Sequence, residues 1–166
     1  HREGEFCAAA SARGDIKLLN ALSGDVRTTV HCTKYGAELV QFTHSDSAVL
    51  VTSRNSDDDH DVRYLSLFDN KYLGYFRGHT DRVVSLDMSP CDDTFITASH
   101  DGTVRLWDLR TRGGGAGGGC AGALRIPREH QSAAGFVCAA FDPQGTVFGV
   151  LSATSGVRLF DARNTA

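Results

Sequence analysis

Apolar and polar residues alternate along much of the chain with the period of two that is typical of half-buried strands. The pattern is clearest between Arg77 and Arg110, where Val84, Leu86 and Met88 are separated by polar residues. This alternation predicts a first strand, and two further β-prone runs follow it in the same stretch. The three predicted strands are centred on Val84–Met88, Phe95–Thr97 and Val104–Trp107.

Turn-forming residues separate these predicted strands. Ser89–Asp93 combines a proline, which fixes φ, with serine and aspartate side chains that cap local backbone groups. Asp101-Gly102 provides the positive φ values that a tight hairpin between the second and third strands requires. The stretch is therefore predicted to fold as an antiparallel sheet.

The end of the third strand recurs along the chain. Four segments, each closed by an aspartate or an asparagine, end at Asn20, Asp69, Asp108 and Asp161. They recur at intervals of 49, 39 and 53 residues, which indicates an internal repeat with a period of about 40 to 45 residues. A low-complexity stretch, residues 113–122, lengthens the last interval and is interpreted as a tolerated surface insertion.

Gly78-His79, followed by Trp107-Asp108, resembles the signature of the WD repeat, one blade of a β-propeller. The resemblance implies an all-β fold, a partial WD-repeat β-propeller of about three and a half four-stranded blades. An imidazole can bridge an aspartate and a hydroxyl while an indole N–H binds the same hydroxyl. An ordinary β-hairpin with incidental Gly-His and Trp-Asp pairs is the alternative. The structural tetrad implied by the resemblance consists of His79, Thr97, Asp101 and Trp107.

The repeat endings predict one partial propeller rather than several domains. Only the third copy has both signature pairs, because Lys34-Tyr35-Gly36 replaces Gly-His in the second copy and phenylalanine replaces tryptophan elsewhere. We expect those blades to depend more on apolar packing. Phe6–Asn20 matches only the last two strands of a blade, so we expect a piece of a longer chain. The predicted blades are 1–33 (partial), 34–76, 77–112 and 123–166 (partial), with 113–122 as a Gly-rich insertion.

Composition argues against several classes of protein. The net charge is −3, so the chain lacks the overall excess of positive charge that is typical of nucleic-acid-binding domains. We therefore expect no sequence-specific nucleic-acid binding. No apolar run approaches the roughly eighteen residues of a membrane span, and we expect no membrane partner. The five cysteines are widely spaced and odd in number, which predicts reduced thiols rather than a disulfide framework.

We find no arrangement of residues that predicts catalysis, a cofactor or a metal site. Nothing in the sequence places a nucleophile beside a base, and the seven histidines lack metal-ligand spacing. Asp57–Asp61 could be imagined as a metal site, but a solvated acidic loop is the favoured interpretation. The chain is therefore predicted not to be an enzyme.

Five residues are candidates for binding a partner. Arg82, near the first strand, and His100, beside the tight turn, are candidates for the face on which propellers bind peptides. Arg105 is a further candidate for binding a partner, and an outward strand residue is its alternative interpretation. Trp107-Asp108-Leu109-Arg110 resembles the WDxR ending of cullin-RING ubiquitin ligase substrate receptors. Asp108 and Arg110 are candidates for that contact, with a local pair between them as the alternative.

The stretch Lys34–Arg110 resembles a narrower group than WD repeats in general. DNKYLGYFRGH, followed by RLWDLR, is similar to the WD-repeat subunit of the COMPASS histone lysine methyltransferase complex. The resemblance implies a nuclear scaffold without catalysis of its own. Its implied partners are methyltransferase complex subunits and the phosphorylated tail of RNA polymerase II, with a link to mRNA 3′-end processing. A ubiquitin-ligase substrate receptor is the alternative function, supported by WDLR alone.

Overall fold

Strands make up the regular secondary structure of the described residues, and no helix occurs among them. The computed structural model describes residues 4–54, 59–111, 119–126, 137–153 and 156–163. Its fourteen strands form four antiparallel sheets, so the prediction of an all-β fold is confirmed. The chain divides into two compact units, His1–Tyr75 and Phe76–Ala166. Nothing in the described ranges is a helix long and apolar enough to cross a membrane.

The first unit contains a three-stranded sheet and a four-stranded sheet. We predicted that Phe6–Asn20 supplies only two strands of its blade, but Val26–Val30 pairs with the second of them as a third strand. Strands β1 (Phe6–Ala10), β2 (Ile16–Asn20) and β3 (Val26–Val30) form the first sheet in chain order. Strands β4 (Val40–Phe42), β5 (Ala48–Thr52), β6 (Val62–Ser66) and β7 (Lys71–Phe76) form the second sheet, also in chain order.

The second unit likewise contains one four-stranded sheet and one three-stranded sheet. The third sheet of the chain has the order β11-β10-β9-β8, and the fourth has the order β12-β13-β14. The strands of the third sheet are β8 (Val83–Met88), β9 (Thr94–Ser99), β10 (Thr103–Asp108) and β11 (Cys120–Arg125). Those of the fourth sheet are β12 (Val137–Phe141), β13 (Val147–Ser152) and β14 (Gly156–Asp161).

The position of strand β11 shows that the predicted boundary between the third and fourth blades is wrong. We expected an insertion through residue 122 and a new blade from residue 123, yet Gly122 pairs with Leu106 and Cys120 with Trp107. The small residues of this segment carry no β-strand signal, but ladder hydrogen bonds need only the backbone. Residues 113–118 of the predicted insertion lie outside the described residues.

The third sheet buries side chains on both faces, because successive strand residues point to opposite sides. One face of β9 and β10 packs against the fourth sheet and forms the larger part of the core of this unit. The opposite face buries Phe95, Thr97 and Trp107 completely. The residues of the first face are Ile96, Ala98, Val104 and Leu106, which meet Val137, Ala139, Phe148 and Val150 of the fourth sheet.

The fourth sheet differs from the third in the exposure of its last strand. Val157 and Leu159 occupy the positions in β14 that Val104 and Leu106 occupy in β10. Their exposed fractions are 68% and 71%, against 2% and 8% for the residues of β10. The fourth sheet therefore presents an apolar face that the third sheet buries.

Two side chains of β8 bind the backbone of β12 and link the third and fourth sheets. The Ser85 hydroxyl accepts a hydrogen bond from the Ala139 N–H at 3.1 Å and donates to the Ala139 carbonyl at 3.0 Å. Asp87 Oδ2 accepts a hydrogen bond from the Phe141 N–H at 2.7 Å. These bonds satisfy backbone groups on β12 that would otherwise need another partner, and they fix how the two strands align.

We expect the contribution of Asp87 to stability to depend on pH. Burial raises the pKa of the Asp87 carboxyl, in spite of hydrogen bonds from the Phe141 and Met88 N–H groups. Its contribution to the free energy of unfolding is therefore full below the ordinary carboxyl pKa and falls as the pH rises through the raised value. Asp87→Asn keeps an acceptor for Phe141 and has no acidic proton. The melting temperature of this variant, relative to the native chain, should rise as the pH increases above about 4, the ordinary carboxyl pKa.

Thermal denaturation followed by circular dichroism measures this difference. Asp87→Ala is the matched control, since it also lacks the carboxyl but removes the acceptor, and it should be less stable than Asp87→Asn by about 1–3 kcal/mol at every pH. A constant difference between Asp87→Asn and the native chain would show that the carboxyl keeps an unperturbed pKa.

Candidate functional site

Four side chains of the second unit form one continuous chain of hydrogen bonds. His79 Nδ1 donates to Asp101 Oδ2 over 2.8 Å, and His79 Nε2 accepts a hydrogen bond from Thr97 Oγ1 over 2.7 Å. Trp107 Nε1 donates to the same threonine oxygen over 2.8 Å. Both ring nitrogens of the histidine and the indole N–H thereby have partners. The structure thus brings together all four residues of the predicted tetrad.

The local sequence explains why these side chains meet. Gly102, with φ of 80°, completes the tight turn that holds Asp101 between β9 and β10. Thr103 donates to Asp101 Oδ1 through its backbone N–H at 2.7 Å and its hydroxyl at 2.6 Å, which orients the carboxylate. Thr97 lies opposite Arg105 in the ladder, so it is a diagonal neighbour of Trp107 on the same face.

The charge of Asp101 is stabilised inside this network. Burial works against ionisation, but hydrogen bonds from His79 and Thr103 outweigh it and hold the pKa of Asp101 well below the usual carboxyl range. Asp101 therefore contributes stability that is present above the ordinary carboxyl pKa and is lost as the pH falls through the lowered value. The network is a structural element at neutral pH.

Close packing around Trp107 explains the glycine that precedes His79. The indole stacks on Phe95 at 6.1 Å between ring centroids and meets Phe76 edge-on at 5.9 Å. A Cβ atom added at Gly78 would collide with the Arg105 guanidinium and lie 3.3 Å from Trp107 Cη2. A side chain at this position would displace the Arg105 guanidinium and crowd the indole, so the Gly-His pair serves packing as well as hydrogen bonding.

The five candidate partner-binding residues do not form one surface. Arg82 and His100 adjoin at one end of the third sheet, where the His100 N–H donates to the Arg82 carbonyl over 3.0 Å. Asp108 and Arg110 lie at the opposite end of β10, whose six residues span roughly 20 Å. Arg105 lies between the two ends, with its Nε buried and its guanidinium beside Trp107. The alternative interpretation of Arg105 was a side chain that points outward from the strand, and its observed position differs from that.

Asp108 and Arg110 make a local ion pair. Arg110 donates through Nη2 to Asp108 Oδ2 at 2.7 Å and through Nε to Oδ1 at 3.0 Å. The hydrogen bond from Arg110 is the main reason that the pKa of Asp108 is lowered. The Arg110 side chain is 71% exposed, and pairs of this kind contribute little to stability.

The second sheet has a buried polar network of its own around Arg63. This side chain donates to Ser53 Oγ and to Asp59 Oδ2, and its Cζ lies 3.6 Å from the centroid of the Tyr35 ring. Tyr35 belongs to the segment that replaces Gly-His in this copy. Apolar packing, which we expected to dominate here, is therefore accompanied by a buried cation that faces an aromatic ring and a carboxylate.

The Arg63 network also changes the interpretation of the acidic cluster. Of the predicted loop Asp57–Asp61, Asp59 is the ion-pair partner of Arg63, while Asp57 and Asp58 lie outside the described residues. Within the described ranges, no group of three or more histidine, cysteine, aspartate or glutamate side chains is placed to hold a metal ion. All five cysteines are free thiols.

Comparisons with known proteins agree with this architecture. Residues 70–108 match the family model described as WD domain, G-beta repeat. The chain is 38% identical over 161 residues to WD repeat-containing protein 82 of Drosophila melanogaster, an alignment that covers 97% of the chain and 46% of that relative.

Two fungal relatives are similar over most of the chain. Identity to Set1 complex component swd2 of Schizosaccharomyces pombe is 37% over 166 residues, covering 96% of the chain and 42% of the relative. Identity to COMPASS component SWD2 of Saccharomyces cerevisiae is 32% over 147 residues, covering 89% of the chain and 40% of the relative. The chain thus spans less than half the length of these relatives. With its WD repeat and its four antiparallel sheets, the chain is similar to WD-repeat proteins over nearly its whole length.

Proposed function

We propose that the chain is part of a non-catalytic WD-repeat scaffold subunit of a nuclear histone lysine methyltransferase complex of the COMPASS type. The observation that carries this proposal is the similarity, over 96% and 89% of the chain, to relatives named as Set1 complex and COMPASS components. The chain spans 42% and 40% of those relatives, so the partners of the whole subunit are part of the proposal.

The scaffold acts by binding, without a cofactor or a metal ion. Its partners are subunits of the methyltransferase complex and the phosphorylated tail of RNA polymerase II, and through them it is linked to mRNA 3′-end processing. Buried networks such as His79–Asp101 hold the turns of a blade in place, so little ordering entropy is lost when a partner binds them. Basic side chains near these turns, such as Arg82, are suited to pair with phosphoserine.

Affinity purification tests this proposal. The full-length tagged protein is recovered from nuclear extract and its partners are identified by mass spectrometry. We expect methyltransferase complex subunits, and a fluorescent fusion should concentrate in the nucleus. Recovery of a cullin and its adaptor in place of those subunits would contradict the proposal and favour the ubiquitin-ligase alternative.

Arg110→Ala separates the two functions further. Because Arg110 is exposed and pairs only locally with Asp108, we expect the melting temperature of the variant to stay close to that of the native chain. The scaffold proposal also predicts that the variant recovers the same methyltransferase subunits. If the variant instead lost a cullin adaptor that the native protein binds, the WDxR motif would be a functional contact.

A further inference from the structure

The outer strand of the second sheet, β7, has an edge that pairs with no other strand among the described residues. It follows β6 as the last strand in the order β4-β5-β6-β7. The backbone N–H and C=O groups along such an edge can form a ladder with an added strand. The edge of β7 is therefore a candidate surface for association with another polypeptide.

Strand β7 differs from the outer strands of the first and third sheets in the side chains that it exposes. Lys71, Leu73 and Tyr75 lie on one face of β7, because alternate residues of a strand point to the same side. All three are exposed, and the exposed fractions of Leu73 and Tyr75 are 40% and 37%. The exposed residues of β11 are two alanines and an arginine, and β3 exposes Val26 at its start. An alternating row of large exposed side chains thus distinguishes β7.

Antiparallel pairing of β7 with β7 of a second copy brings complementary side chains together. When Leu73 lies opposite Leu73 on the two-fold axis, Lys71 of each copy lies opposite Tyr75 of the other. The two leucines pack together, and an ammonium group is attracted to the face of an aromatic ring. On the other side of the strand, Tyr72 lies opposite Gly74, which has no side chain to collide with it. Each of these cross-strand pairs is therefore compatible with a dimer.

We propose that β7 is a homodimerisation surface, on which two copies of the chain pair antiparallel with Leu73 on the two-fold axis. A shift of two residues in either direction separates Lys71 from Tyr75, so the side chains select this register. A lysine on an edge strand usually discourages pairing, because its charge finds no partner there. Here the second copy supplies an aromatic partner for it. This proposal does not depend on the proposed function.

The side chains that meet in the dimer are already placed for it within one copy. The centroid of the Tyr75 ring lies 5.7 Å from that of Tyr72 and 5.9 Å from Arg63 Cζ. These neighbours order the ring, so little entropy is lost when a second copy binds it. The Lys71 side chain is 75% exposed, and its Nζ lies 3.8 Å from Asp69 Oδ2. An exposed pair of this kind is weak, so Lys71 can reach the aromatic ring at little cost.

Sedimentation equilibrium of the 166-residue chain, over a range of concentrations, tests the proposal. We expect the native chain to approach twice the mass of one chain as its concentration rises. Leu73→Asp and Leu73→Lys should each weaken dimerisation roughly a hundredfold or more, because each places like charges opposite one another on the axis. An equimolar mixture of these two variants should dimerise again, since opposite charges then meet at the same place. Circular dichroism should show that all variants are folded.

Lys71→Ala tests the second pair of side chains. It should weaken dimerisation about tenfold, because the two-fold symmetry removes the contact with Tyr75 twice. Since the Lys71 side chain is 75% exposed, this variant tests the surface even if a charge at position 73 disturbs the fold. Unchanged dimerisation of Lys71→Ala would contradict the proposed register.

Leu22→Ser and Leu159→Ser are the matched controls, since each removes an exposed leucine from another sheet. Their exposed fractions, 89% and 71%, exceed that of Leu73, so non-specific apolar association would depend on them more. Both variants should dimerise as the native chain does. Loss of the dimer in Leu159→Ser would assign the association to the fourth sheet and overturn the proposal.

Three other results would also overturn the proposal. They are a native chain that stays monomeric at every concentration, a dimer that persists in Leu73→Asp, and a mixture of the two charged variants that stays monomeric. Affinity purification from nuclear extract identifies the alternative occupant of β7. If the native chain were monomeric and Leu73→Asp lost methyltransferase subunits, a subunit of that complex would cover the strand in place of a second copy.

Discussion

Replacing Trp107 by alanine is expected to lower the free energy of unfolding by about 3–5 kcal/mol. The indole is completely buried, stacks on Phe95, and supplies the hydrogen bond that Thr97 accepts. Small domains are stable by only about 5–15 kcal/mol, so the variant should be close to unfolding at physiological temperature. Urea denaturation followed by circular dichroism measures the change, because Trp107 is the sole tryptophan and fluorescence is lost with it.

A double-mutant cycle separates packing from hydrogen bonding in the tetrad. Trp107→Phe keeps an aromatic ring and removes the indole N–H, so its cost should be smaller, about 1–3 kcal/mol. Thr97→Val removes the hydroxyl that joins Trp107 to His79. We expect a coupling energy of about 0.5–3 kcal/mol between the two changes. Simple additivity would show that the indole N–H and the hydroxyl contribute independently.

Replacing Asp59 by asparagine is expected to have the second largest effect, a loss of roughly 2–3 kcal/mol. The variant leaves the Arg63 side chain, which is only 3% exposed, without its anionic partner. The Asp59 side chain is 30% exposed, so water offsets part of the penalty of breaking a buried pair. Urea denaturation gives the magnitude, and near-ultraviolet circular dichroism reports on Tyr35, which faces the guanidinium.

Two further variants decide whether the unpaired buried charge of Arg63 causes the loss of stability in Asp59→Asn. Asp46→Asn removes a carboxylate from an exposed turn of the same unit and should change stability by less than about 0.5 kcal/mol. Combining Asp59→Asn with Arg63→Met should recover most of the loss, because an apolar side chain of similar volume needs no partner. An Asp59→Asn variant as stable as Asp46→Asn would exclude a net contribution from the ion pair.

The features that could be predicted from the sequence are those determined by residues that lie close together in the chain. The alternation in β8, the Asp101-Gly102 turn and the signature pairs all lie between Arg77 and Arg110. The resemblance of the signature pairs to the WD repeat implied the tetrad, and residue type explains how a buried histidine can bridge an aspartate and a hydroxyl. The prediction of the all-β class therefore depended on local pattern and on the repeat.

The features that could not be predicted depend on distant residues or on the backbone. Tyr35 and Arg63 are far apart in the sequence and match no known spacing, so nothing indicated that they meet. Strand β11 begins in a Gly-rich segment whose side chains carry no strand preference. The bonds from Ser85 and Asp87 to β12 form only where two sheets pack, and a repeat pattern describes one sheet at a time.

The bonds from Ser85 and Asp87 to β12 affect how the chain tolerates mutation. Both side chains recognise main-chain atoms of Ala139 and Phe141, and main-chain atoms are the same for every residue except proline. Substitutions in β12 can therefore alter its side chains without altering this recognition. As far as these bonds are concerned, substitutions of Ser85 and Asp87 in β8 should therefore cost more than substitutions in β12 that leave its backbone in place.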